Sequence, residues 1–505
     1  MLDDLDRIGP VLAMAGVAAL ILIWDFLPRG KRLPAARGRP LFAVALLGPI
    51  LSALWTLSLD GREAGFAFAN SVVLDDFTTF FSFLFAAIAA AIILSSQDYA
   101  KRFGSYEPEF YALILFAASA MLLLAASRDL ILIFVALELT SICQYILAAL
   151  QRDERSTEAG VKYLLLGATA SAVILYGMAF LFGLTGTTRL VAPAGEPSIA
   201  SVIAERGDGM QAGLILATVF LISGLGFKMA VVPFQMWVPD VYEGAPAPVA
   251  AFLSVASKGV AFVVVLRIFF DGLADPVASG DWSTIFAVVA AVSMTLGNLF
   301  ALVQSNIRRL LGYSSIAQAG NFMVGLAAVS AADGGLSLGA SGVTFFVAAY
   351  ALTNLGAFIA VIAVSGRTGS DLIAYYAGLA RRAPLLAAGL AFGLVSLTGI
   401  PPTAGFVAKI YIFNAAAQSD LVWLVVVAVL NSVLSAFYYL RIVRLMFLAE
   451  PTDLRGIDTS LGLKLALAVA VAGIIFVGVL PSPLLDAARD AAAVFSDSVT
   501  NASAR

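Results

Sequence analysis

LISGLGFKMAVVPFQMWVPDVYEGAPAPV, Leu221–Val249, begins as apolar sequence fit for a lipid bilayer and then places Lys228 and, shortly after it, Pro233. A charge and a helix breaker both disfavour burial in hydrocarbon unless nearby groups satisfy them. A helix interrupted at Pro233 leaves Lys228 near the carboxyl end of its first half. The negative dipole end and the freed carbonyls there favour an ammonium group. The stretch therefore predicts a discontinuous transmembrane helix with a lysine at its break.

The rest of the chain fits that setting. It has 505 residues, 61% hydrophobic and 12% charged, with a mean hydropathy of +0.96. Such apolar excess predicts an all-α polytopic membrane protein, since the apolar runs are too long for barrel strands. A bilayer core takes roughly 20 helical residues. On that measure about fourteen transmembrane helices are expected, near 9–27, 41–58, 77–95, 109–126, 129–149, 161–185, 212–236, 247–270, 283–304, 309–330, 341–364, 384–418, 420–446 and 462–481. The acidic N-terminus lacks a small-residue cleavage site and reads as a retained first helix.

A second break, LTGIPPTAGF, falls in the long span at 384–418, with Lys409 about two turns beyond Pro401. From that position the dipole of the first half serves Lys409 less than Lys228. A similar offset separates the two breaks and the helices starting near 109 and 283. The pattern predicts two inverted five-helix repeats, each with a broken helix fourth in order. The units are then 1–108, 109–271, 272–446 and a C-terminal helix with its tail at 447–505. Basic residues orient the chain. Alternate loops collect Arg29, Lys31, Arg32, Arg37, Arg39, Lys101, Arg102, Arg152, Arg155, Arg308, Arg309, Arg367, Arg381, Arg382, Arg441, Arg444, Arg455 and Lys464. The opposite side holds only Arg7, Arg62, Arg128, Arg189, Arg206, Arg489 and Arg505. The positive-inside rule puts both termini on the outer face.

Only seven of the thirty basic residues are lysine, and four of those, Lys162, Lys228, Lys258 and Lys409, fall within expected spans. Arginine keeps its proton almost anywhere, whereas a desolvated lysine can release one. The spans also hold one prominent carboxylate, Glu138, and the next helix offers Lys162 as its expected partner. Arg267, near a span end, is expected to reach for the headgroups. The PDVYEGAPAP segment, with Asp240, Tyr242 and Glu243, is expected to be a connector capping the next helix. Ser257, Tyr313, Ser314, Ser315, Gln318, Tyr350, Thr353 and Asn354 are available either to join helices or to hold water. Histidine is absent, and Cys143 is the single cysteine, expected to be buried. No His-metal centre, CxxC pair, Walker loop or Rossmann fingerprint is present, so no metal or cofactor is expected in this chain. The net charge of −3 gives no reason to expect nucleic acid.

FKMAVVPFQMWVPDVYEGAPAPVAAFLSVASKG, STEAGVKYLLLGATASAVILYG, ALVQSNIRRLLGYSSIAQAG and GIPPTAGFVAKIYIF resemble the antiporter-like membrane subunits of respiratory complex I, across about residues 70–450. The resemblance implies a proton-translocating subunit in a bacterial inner membrane. FMN, iron–sulfur clusters and quinone are then expected in partner subunits. Homologous antiporter-like subunits, small helical subunits and the bilayer are the expected neighbours. Glu138, Lys162, Lys228, Lys258 and Lys409 match the family's charged positions on helices five, six, seven, eight and twelve. Many relatives carry histidine where this chain has Gln235 and Gln318. Glutamine can bond water but cannot titrate, so the lysines and water must suffice here. A cation/proton antiporter subunit, a membrane-bound hydrogenase subunit and a structural spacer remain as alternatives.

Overall fold

The computed structural model describes residues 2–26, 38–62, 64–193, 195–328, 336–451 and 456–503. Arg29, Lys31, Arg32, Arg37, Arg455 and Arg505, used above to orient the chain, lie outside them. Helices dominate, and many start at a side chain that caps them. Asp75, Asp129, Asp153, Asn306 and Ser460 each accept from a backbone N–H in the first turn. Such caps satisfy amides the helix itself leaves free.

Among the described residues, eleven helices are long and apolar enough to cross a membrane, and Gly9–Asp25 and Pro384–Thr398 are shorter apolar helices. The span expected at 309–330 falls on Ile307–Ala327, which carries Tyr313, Ser314, Ser315, Gln318 and Asn321. That polar content keeps it out of the apolar set, so length and apolarity alone do not fix the expected fourteen crossings. Small residues let helices approach closely. A Cβ on Gly320 would lie 2.8 Å from the Ala290 carbonyl oxygen of the preceding helix.

Burial separates the centre from the rim. The most apolar stretches of Ala247–Gly272 and Leu338–Thr368 are 100% and 94% buried, against 33% for Val422–Leu448. The first two form the core, and the last turns Leu430, Val433 and Phe437 outward. Within 247–272 the helix relaxes into π-helical segments at Leu253–Ser257 and Leu266–Gly272. Such local widening often accompanies functional positions.

Three features were not expected. Gly65–Ala67 and Val72–Leu74 form an antiparallel hairpin, with Gly65 opposite Leu74. Ser482–Ser503 is a helix rather than a tail, and Phe495 packs against Phe77 and Phe270, ring centroids 5.0 and 6.0 Å apart. Trp237–Gly244, expected as a capping connector, is a short helix of its own. The helix after it starts at Pro246 with no side-chain cap.

Candidate functional site

Both expected breaks are present. The first helix, Ile199–Met229, ends with Lys228 in its last turn and Ala230 in the left-handed region at φ 62°. Freed backbone groups find partners. Val232 N donates to Ser293 Oγ at 3.0 Å, and Trp237 Nε1 donates to the Phe227 carbonyl at 3.0 Å. The second break separates Pro384–Thr398 from Ala404–Gln418. Val232–Pro233 and Pro401–Pro402 are cis.

Lys228 is buried. Its Nζ donates to Ser141 Oγ at 2.6 Å and Tyr145 OH at 3.4 Å. Ser141 and Tyr145 follow Glu138 by three and seven residues on Leu130–Ala148. They therefore share its helix face. Lys228, not Lys162, is the cation presented to that face.

The expected Glu138–Lys162 pair does not form. Glu138 accepts from Ser171 Oγ. Lys162 lies nine residues before Ser171 on the same helix, Glu154–Thr185. Nine residues are two and a half turns, about 13.5 Å along the axis and on the opposite face. The Lys162 Nζ instead sits 2.7 Å from Glu158 Oε1 and 3.1 Å from Asp240 Oδ2, with its side chain 43% exposed. Asp240 Oδ1 also takes Arg309 Nη1 at 2.8 Å, and Glu243 takes the same nitrogen at 3.0 Å. The short helix past the first break thus ties Lys162 to Arg309 at the start of Ile307–Ala327.

Partial burial pushes the Asp240 carboxyl up, but Lys162 and Arg309 outweigh it and hold the group below its ordinary 3.8. A carboxyl depressed in the folded state stabilises the fold above its ordinary value, and that contribution disappears as pH falls through the folded value. Asp240→Asn is therefore expected to lower the unfolding temperature at neutral pH and to flatten the acid-side decline below 3.8. Thermal unfolding in detergent across that range measures both; identical curves for the two proteins would remove Asp240 from the network.

Lys258, also buried, donates through Nζ to the Ser315 carbonyl. Its neighbour Ser257 donates to Gln144 Oε1 at 3.1 Å, and Tyr163 OH donates to the same oxygen at 3.0 Å. Gln144 is on the helix of Ser141 and Tyr145, so Leu130–Ala148 touches the surroundings of both Lys228 and Lys258. Three residues beyond Ser315, Gln318 Nε2 donates to the Leu397 carbonyl at 3.0 Å.

Lys409 meets that same carbonyl. It reaches back across the second break, donating to Leu397 O at 3.0 Å, Thr398 O at 2.9 Å and Ser432 Oγ at 3.3 Å. The expectation that the first half-helix serves Lys409 less is thereby corrected, because its ammonium caps the last carbonyls of that half. Gly399, at φ 89°, makes room for it; a Cβ there would lie 3.0 Å from Lys409 Cδ.

The other expected polar residues divide. Thr353 bonds Ser396 Oγ at 2.9 Å, and Ser314 bonds Tyr439 OH, so both join helices. Asn354 Nδ2 donates to Ser254 Oγ at 2.7 Å. Buried atoms with no hydrogen-bond partner among the described residues include Gln144 Nε2, Gln235 Oε1, Asn321 Oδ1, Tyr350 OH and Asn354 Oδ1. Ser141, Gln144 and Tyr145 were missed from the sequence, although their spacing from Glu138 could have revealed them.

Arg267 does not reach for headgroups. It is fully buried, donating to both Asp75 oxygens at 2.9 and 3.0 Å and to Asp271 Oδ2 at 3.3 Å. Its Nε donates to the Ala125 carbonyl at 3.0 Å. Arg128 Nε completes the cluster, 3.1 Å from Asp271 Oδ2. Cys143 is buried, as expected.

Residues 127–435 match the family described as NADH:quinone oxidoreductase/Mrp antiporter, TM. The NADH-quinone oxidoreductase subunit N of Dehalococcoides mccartyi is 40% identical over 492 residues, covering 95% of this chain and 98% of that protein. A chain of respiratory complex I from Thermus thermophilus superposes with a TM-score of 0.76 at 32% identity, covering 94% of this chain and 98% of that one. A chain of the Mrp complex from Dietzia sp. shares the fold, with a TM-score of 0.81 at 22% identity, covering 100% and 99% of the two. By sequence along nearly its whole length and by fold, the chain belongs to the NADH:quinone oxidoreductase/Mrp antiporter membrane-subunit family, in the branch of NADH-quinone oxidoreductase subunit N.

Proposed function

We propose that this chain is a proton-translocating membrane-arm subunit of NADH:quinone oxidoreductase. It works beside other membrane-arm subunits, while FMN, iron–sulfur clusters and quinone belong to those partners. The observation that carries the reading is the polar line linking the buried lysines. Ser141, Gln144 and Tyr145 lie between Lys228 and Ser257–Lys258, and Ser315, Gln318 and the Leu397 carbonyl lie between Lys258 and Lys409. Buried polar atoms without partners, such as Gln144 Nε2 and Tyr350 OH, are those that bound water satisfies. Water there supplies the hops between ammonium groups.

In this reading Glu138 sets the charge state of Lys228 across their shared face. When partner subunits weaken that influence, the proton moves from Lys228 through Lys258 to Lys409, and repulsion between like charges drives its release. Lys162 acts at one remove, through Asp240 and the short helix past the break. Gln318 positions Lys409, and Gln235 and Tyr350 offer contacts to water. The membrane is the bacterial inner membrane, with both termini periplasmic, as the basic-loop asymmetry supports. The division at 109–271 and 272–446 into inverted repeats is supported by a lysine at each break, Lys228 in the last turn of the first half-helix and Lys409 on the last carbonyls of the other.

Lys258→Gln tests the relay. Glutamine keeps a donor for the Ser315 carbonyl but cannot carry a proton. In the assembled complex reconstituted into vesicles, proton uptake per NADH oxidised is expected to fall several-fold. Undiminished uptake would reject the path through Lys258.

A further inference from the structure

We propose that the carboxyl-terminal end of Val422–Leu448 is a binding site for one class of ligand, an anionic phospholipid. A cavity of about 730 Å³ opens there, lined by Arg441, Arg444, Leu372, Ile373 and Leu448 among others. Two guanidinium groups face it, and no carboxylate belongs to its wall among the described residues; Glu450, the nearest acidic residue in sequence, lies outside the lining.

The two arginines differ. Arg441 is held in place, donating to the Leu302 carbonyl at 3.3 Å and the Gln304 carbonyl at 2.9 Å. Those carbonyls end Pro276–Leu302 and its following turn. Arg444 is exposed and has no hydrogen-bond or ion-pair partner among the described residues. A guanidinium offers five N–H donors in a planar fork suited to phosphate. Arg441, with its free donors, and Arg444 together present such a fork pair, one turn apart.

The helix below supplies the other half of the ligand. Leu430, Val433, Phe437, Arg441 and Arg444 recur every three or four residues and so form one stripe. Its apolar members are 64%, 59% and 67% exposed, facing the bilayer. An acyl chain lies along that stripe while a phosphate sits on the guanidiniums above it. A headgroup of net negative charge is favoured because no carboxylate among the described wall residues neutralises the pair. The basic loops place this end on the cytoplasmic face, where anionic lipid attracts basic side chains.

The test uses the whole complex, purified in mild detergent from wild type and from Arg444→Gln. Arg444 makes no hydrogen bond or ion pair among the described residues, so assembly is expected to be unchanged. Native mass spectrometry is expected to show loss of a retained phosphatidylglycerol or cardiolipin in the variant, with zwitterionic lipid unaffected. A photo-crosslinker at Leu448 is expected to label lipid. Equal anionic lipid retention in both complexes would overturn the proposal. So would a crosslink to a neighbouring polypeptide, which would make the cavity a subunit interface. Arg441→Gln, measured the same way, keeps the proposal open to refutation if the first variant assembles poorly.

Discussion

Lys228→Ala in the assembled complex is expected to reduce coupled turnover roughly 100-fold, the low end of what a positioned proton carrier contributes. The side chain is buried, and its ammonium donates to Ser141 and Tyr145 on the face that also carries Glu138. Alanine removes both the proton carrier and the charge facing Glu138. NADH-driven quinone reduction and proton uptake, measured together in proteoliposomes, read the loss. Lys228→Arg separates the two roles. Arginine restores the positive charge but holds its proton. It is expected to support assembly yet pump no better than alanine. Full pumping by the arginine variant would show that Lys228 acts as a fixed charge.

Arg267→Met has the largest expected effect on stability. The guanidinium bridges Asp75, which caps Asp76–Ser96, and Asp271, in the π-helical end of the central helix. Removing it takes one of the cluster's two guanidinium groups, Arg267 and Arg128, away from two buried carboxylates. Breaking a buried pair in this way destabilises by about 3–5 kcal/mol. The subunit is expected to assemble poorly and to unfold at a markedly lower temperature in detergent. Asp75→Asn combined with Arg267→Met relieves part of the uncompensated charge and is expected to recover some stability. If the single variant unfolds like wild type, the cluster contributes nothing beyond packing.

The breaks were legible in the sequence because proline acts locally. Pro233 and Pro401 remove backbone donors wherever the chain goes, and Lys228 and Lys409 lie close enough in sequence to be tied to them. Lys258 could be placed inside the membrane by the apolar run around it. Partner choice was not legible. Glu138 and Lys162 lie on consecutive helices, but only the rotation of those helices decides which side chains face each other. Here Ser171, half a revolution away from Lys162, takes that place. Arg267 was misread because its main partner, Asp75, is remote in sequence, although Asp271 at four residues' distance was a visible hint. The helix at Ser482–Ser503 is too polar to stand out as a membrane span, and its packing on Phe77 and Phe270 joins residues remote in sequence.

Lys409 works as a latch across the gap in its own helix. An ammonium group has three N–H bonds, and Lys409 aims them at three acceptors, two of them on the far side of the gap. A neutral amine has only two, enough for the two carbonyls, and its lone pair is met only if the Ser432 hydroxyl turns from the Ala428 carbonyl to donate. Unloading the proton therefore reverses the bond to Ser432 and weakens both ties across the gap, since a neutral donor bonds less strongly than an ammonium. In the proposed relay, loosening of that joint is therefore coupled to discharge of the proton.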